Sequence, residues 1–221
     1  MSSGIFVYEL SPATANIATD IYETLIALAD DETSYFNLQL ENSNELSGEY
    51  VIVQTIEETF YNSETRTFDQ RQAQQASVVN FYVFNNRLEI WGNRTKANRL
   101  IFAMSNALQN RISINAVEIA IEHVITKLAS SKVKISRVCF QDFLFAEDIV
   151  GSFTVDLSTY GDVFSVLNKY KNKIIRMTMI IPSNGSSLKI SISSKGSVVV
   201  YKPRDAFDNE ALDVLHAILL K

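Results

Sequence analysis

The 221-residue sequence predicts an α+β protein: two pseudo-repeated α-β(4-5)-α halves, with an antiparallel curved sheet and helices on one face. Three observations lead there. Apolar stripes with helical spacing follow recognisable helix starts. Between them lie segments that alternate apolar and polar residues as strands do. And an order of strand, tight turn, strand, basic residue and helix occurs at residues 80–108 and again at 189–218, 110 residues later, half the chain length.

Taken in chain order, a strand over about 5–10 precedes Ser11-Pro12, a good N-cap and N1 pair. Behind that pair Ala18, Ile21, Leu25 and Leu28 share a face, so a helix is expected over about 12–29. Strands follow at about 35–41, 48–60, 66–84 (with or without a break) and 87–91. A second helix starts near Thr95, its stripe formed by Ala97, Leu100, Ile101, Met104 and Leu108. The third opens at Asn115-x-x-Glu118, which has the form of a capping box, and continues through Val117, Ala120, Ile121, Val124 and Leu128. The second half then gives strands at about 133–145 and 150–157 and a short helix with Tyr160, Val163, Phe164 and Leu167. Strands at 173–182, 187–193 and 197–202 come next. The last helix begins after Pro203, with Phe207, Ala211, Val214, Leu215 and Ile218 inward. The halves are 1–110 and 111–221, read as one continuous pseudo-twofold domain.

The hairpin at 80–91 carries the sharpest expectation. Asn85-Asn86 suits a two-residue type I′ turn, because Asn tolerates positive φ. Pairing then places Phe84 opposite Arg87, Val83 opposite Leu88, Tyr82 opposite Glu89 and Phe81 opposite Ile90. One face becomes Phe81, Val83, Leu88 and Ile90, which is core. The other becomes Tyr82, Phe84, Arg87, Glu89 and Trp91. The turn Ser194-Lys195-Gly196 gives the second half an outward face of Lys189, Ser191, Ser193, Val199 and Tyr201. The aromatic face of Tyr82, Phe84 and Trp91, with Tyr201 as its counterpart, is either a recognition surface or a surface covered by another segment such as 66–78, or by a second subunit.

The stretch FNNRLEIWGNR, residues 84–94, has an aromatic-ended strand, a turn with a basic residue, an apolar strand, then Gly92 and a basic residue before a helix. In this stretch, and in the duplicated plan, the chain resembles the TATA-binding protein family. That resemblance implies a curved antiparallel sheet with helices on one face and the other face open. It does not imply a role in transcription, because a fold does not carry a function with it.

Charge is unevenly placed. Residues 1–65 hold 12 acidic residues and no Lys, Arg or His, while residues 66–221 hold all 20 Lys and Arg against 13 acidic residues, a balance of +7 within a net −5. Arg94, Lys96 and Arg99 fall in or near the first turn of the second helix. Cations there oppose the helix dipole, and an anion on the free N–H groups would reverse that cost. With Arg87 and Arg111 they form the anion-binding set expected of a nucleic-acid contact. The alternative is a basic face paired with the acidic N-terminal region.

Catalytic chemistry is not evident. His123 and His216 lie far apart. There is no HExxH, CxxC, G-x-S-x-G, Walker or Rossmann pattern, so no cofactor or metal is expected. Asp30-Asp31-Glu32 and Glu57-Glu58 read as a helix-end turn and a solvated strand. Cys139 reads as a buried strand residue, and a lone thiol fits a cytoplasmic setting. No apolar run approaches the ~18 residues of a membrane span, and MSSGIFVYEL lacks the basic and apolar regions of a secretory signal. The expectation is a non-catalytic binding protein that contacts nucleic acid, with a protein-interaction or assembly subunit (homodimer or mixed complex) as the competing reading.

Overall fold

A computed structural model describes residues 3–28, 33–117, 119–129, 132–146, 149–183, 186–194, 197–202 and 207–219. The architecture is α+β, with strands paired in antiparallel, open order and α-helices packed on them. The chain divides into two compact units: residues 8–115, and residues 1–7 together with 116–221. Asp30-Asp31-Glu32, Glu118, Lys195-Gly196 and Pro203 lie outside the described residues.

In the 8–115 unit, strand β1 (Ser3–Ser11) leads to helix α1 (Ile17–Ile26). Strands β2 (Ser34–Asn42), β3 (Glu45–Asn62), β4 (Thr67–Phe84) and β5 (Arg87–Gly92) follow, then α2 (Arg94–Ala107). The strand order is β2-β3-β4-β5-β1. Helix α1 packs on β2 and β3, and α2 on β4 and β5. Both cover the face of Leu46, Val79, Phe81, Val83, Leu88 and Ile90, all fully or almost fully buried. The hairpin register is the one the sequence implies, Phe84↔Arg87 through Phe81↔Ile90, with φ of 47° at Asn85 and 60° at Asn86. Where β3 crosses Phe81 it carries Gly48. A Cβ there would meet the Phe81 ring carbons at 2.5 and 2.8 Å and Leu38 at 2.9 Å.

Two helix starts differ from expectation. Helix α1 begins at Ile17, not at Pro12, because β1 runs on through Ser11, held by a bond from Leu10 N–H to the Asn86 carbonyl. The residue before a proline also resists helical φ/ψ. Asn115 does not cap a helix. It sits in strand β6 (Ser113–Ala116), which pairs with β1, and the helix starts six residues further on. Tertiary pairing overrides a local cap signal.

The other unit contains α3 (Ile121–Ala129), β7 (Lys134–Ala146), β8 (Ile149–Asp156), α4 (Val163–Tyr170), β9 (Ile174–Ser183), β10 (Ser186–Ser193), β11 (Val198–Val200) and α5 (Asn209–Leu219). The strand order is β1-β11-β10-β9-β7-β8, with Ser3, Gly4 and Ile5 of β1 paired to Val200, Val199 and Val198. Helix α5 packs on β9 and on α3. The covered face holds Met177, Met179, Ile181, Leu188, Ile190 and Val200. Here α4 stands between the second and third strands, where the 8–115 unit has no helix. The closing order of strand, turn, strand and helix is common to both units. No helix among the described residues is long and apolar enough to cross a membrane.

Candidate functional site

The residues singled out from the sequence divide between surface and core. Of the aromatic set, Tyr82 and Phe84 are half-buried and Tyr201 is 48% exposed, with the Lys189 ammonium 5.7 Å from its ring centre. Trp91 is only 6% exposed, and its indole Nε1–H donates to Oε1 of Glu89, which is itself fully buried. Trp91 is therefore a packing residue with a satisfied polar end, not a residue presented to solvent. The segment 66–78, one expected cover for this face, lies instead in the plane of the sheet as β4.

The basic set is dispersed. Asn93 caps α2, its side chain accepting the Lys96 N–H at 2.9 Å. Arg94 and Arg99 are exposed and Lys96 is half-buried. At about 100° per residue, Arg94 and Lys96 project from opposite flanks of the helix, with Arg99 between them on the solvent side beside Phe102. Arg87 is half-buried on β5. Arg111 is at the other end of α2, donating to the Leu108 carbonyl at 3.3 Å and to Thr24 Oγ1 at 3.5 Å. It lines a cavity of about 370 Å³ with Asp20 and Glu23. These cations do not converge on one point.

Arg94 also acts on a neighbour. Burial raises the Tyr8 phenol above its ordinary 10.0, and the Arg94 charge pulls it part of the way back. Because the folded value is raised, Tyr8 supports the fold fully below the ordinary tyrosine pKa and loses that support as pH rises through the folded value. Arg94→Gln is expected to move the Tyr8 titration to still higher pH, read by NMR; an unchanged or lower value would separate the two side chains.

The outward strand faces of the two units differ in charge. In the 8–115 unit the outward residues of β3 include Glu45, Glu49 and Glu57, beside Tyr35 and Val78, both exposed. In the other unit, strand registers place Lys134 with Ile180 and Lys189 in one row, Arg137 with Thr178 and Ser191 in the next, and Cys139 with Arg176 and Ser193 in a third. Lys134, Arg137, Arg176 and Lys189 are all exposed. Arg137 reaches Asp156 at 3.6 Å. The hydroxyl and amide of Ser158 hold that carboxyl below its ordinary value, and Arg137 adds to this.

A second feature is absent from the sequence reading. Strand β2 pairs with β3 only as far as Ser34↔Ile52, and β5 with β4 only over Asn80–Phe84. From Gln54↔Gln75 out to Asn62↔Thr67, β3 and β4 pair with each other alone among the described strands. This two-stranded ribbon is about 30 Å long. Near its tip, Tyr61 and Phe68 stand opposite each other with ring centres 5.5 Å apart, 56% and 73% exposed. Arg71 crosses the other face, bonded to Glu58 at 3.0 Å and lying over the Phe60 ring. The signal for this ribbon was the length of β3 and β4, which exceeds the usual ~5–6 residues; the exposed aromatics had no helical or strand periodicity to mark them.

Among the described residues no three His, Cys, Asp or Glu side chains gather as a metal site. No known family model matches the chain, and neither does any curated protein.

Proposed function

We propose that this protein is a non-catalytic interaction and assembly subunit, which docks another protein chain against the outward face of its 8–115 unit and the ribbon that extends it. The observation that carries this is the Tyr61–Phe68 pair. Two aromatic rings, mostly in water, lie at the end of a ribbon that adds nothing to the core. Their mutual contact is worth about 0.5–1.5 kcal/mol, much less than they would gain by burial against a partner, where aromatic residues carry most of the binding energy. The ribbon edges also lack the proline and lysine that usually block strand pairing.

Tyr61→Ser with Phe68→Ser is expected to leave unfolding free energy within about 1 kcal/mol of the parent, while the assembled mass falls or a co-purifying partner is lost. An assembly unchanged in mass and composition would overturn the proposal. Nucleic-acid contact through the exposed Arg94 and Arg99 is the second reading. It would prevail if DNA or RNA were retarded at low salt and Arg94→Glu with Lys96→Glu abolished the shift. The anions of β3 oppose it on the aromatic-bearing face, and Trp91 is not available to stack on a base.

A further inference from the structure

We propose that the chain docked on this acidic outward face is a second copy of the same protein, which presents the basic outward face of its 116–221 unit. The inference rests on the reading above, that the 8–115 face is a docking surface, and identifies what it docks.

The two faces are opposite in sign, and one pair of charges on each has a similar spacing. Glu45, Glu49 and Glu57 project from the same side of one strand, and Arg87 is the cation that faces them from β5. Glu45 and Glu49 are four residues apart, about 13 Å at strand rise. On the basic face, Lys134 and Lys189 flank Ile180 in one row, and Arg176 lies four residues along β9 from Ile180. Lys189 and Arg176 are therefore about 14 Å apart, one strand across and four residues along. Asp156, already paired with Arg137, is the carboxylate of this face. Lys134, Arg176 and Glu57 make no ion pair or hydrogen bond among the described residues, so their charges are open to a partner. A polyanion is a poorer match for the basic face. The whole chain carries −5, which repels nucleic acid at long range, whereas every copy of the chain brings a face of each sign.

The test is the mass of the full chain in solution, by light scattering or sedimentation. At low ionic strength the protein is expected well above its 24.9 kDa protomer mass, returning toward it at about 1 M salt, where the screening length falls to ~3 Å. Lys134→Glu, Arg176→Glu and Lys189→Glu together make both faces acidic. Glu45→Lys, Glu49→Lys and Glu57→Lys together make both basic. Each triple variant is expected to weaken self-association by on the order of 100-fold, and an equimolar mixture of the two is expected to associate again. A parent protein that stays at protomer mass at low salt overturns the inference, as does a mixture that fails to associate. So does a basic-face variant that keeps its mass while losing nucleic-acid binding. A protomeric parent that still loses another protein on Tyr61→Ser with Phe68→Ser would leave the interaction role standing and remove only the second copy. An intact self-association in that double variant would leave the second copy standing and remove only the ribbon pair from the docking surface.

Discussion

Trp91→Ala is expected to lower the unfolding free energy by about 3–5 kcal/mol, read by denaturant titration. The side chain is buried on the sheet face that sequence alone offers as a recognition surface. Its removal leaves a cavity and also leaves the buried Glu89 carboxylate without the indole N–H. The two losses separate in Trp91→Phe, which keeps most of the apolar volume and omits the donor. An intermediate cost of about 1–3 kcal/mol is expected there, the usual worth of a hydrogen bond to a buried charged group. If Trp91→Ala changed stability by less than about 0.5 kcal/mol, as exposed substitutions do, Trp91 would be a surface residue and the recognition reading would return.

Phe81→Ala is expected to cost a similar ~3–5 kcal/mol. Phe81 lies at the centre of the 8–115 unit, fully buried, edge-on to Phe36 with ring centres 6.3 Å apart. Its ring occupies the space where a side chain at position 48 would lie. Gly48→Ala should therefore destabilise by about 1–3 kcal/mol through overpacking. The two substitutions relieve each other, so Gly48→Ala combined with Phe81→Leu should cost less than the sum of the singles. Additive costs in that double-mutant cycle would mean that the ring and the glycine do not share one space.

The contrast between these residues and Tyr61 or Phe68 shows which parts of the molecule were legible in the sequence. Period-two alternation settles which face of a strand is inward, and it did so for Phe81, Val83, Leu88 and Ile90, with the register fixed by a turn that needs positive φ at two asparagines. Alternation cannot say whether the other face is covered. Trp91 and Tyr82 share a face, yet one is buried and the other only half so, because that depends on what lies above them. Ser191 makes the same point: expected on an ordinary solvent face, it is 6% exposed. Helix starts failed where the chain was already committed to a sheet, at Ser11 and Asn115. The ribbon and the grouping of the basic face are not legible for another reason. A ribbon is defined by the absence of neighbouring strands. The cations at 134, 137, 176 and 189 come together only through the registers of three strands, and pairwise register across such separations is not written in local pattern.

Strand β1 has a consequence for how the protein is made. Ser3, Gly4 and Ile5 pair with Val200, Val199 and Val198, so one edge of the 116–221 unit is supplied by residues made nearly 200 residues before their partners. The 8–115 unit has all of its strands available before the 116–221 unit is made and can settle early. The other unit, whose closing contacts span nearly 200 residues, forms last and slowly, as pairings distant in sequence do. In the interval residues 3–5 of β1 offer an unpaired edge to whatever is nearby, and crowded nascent chains are where exchange of that first strand between neighbouring molecules would begin.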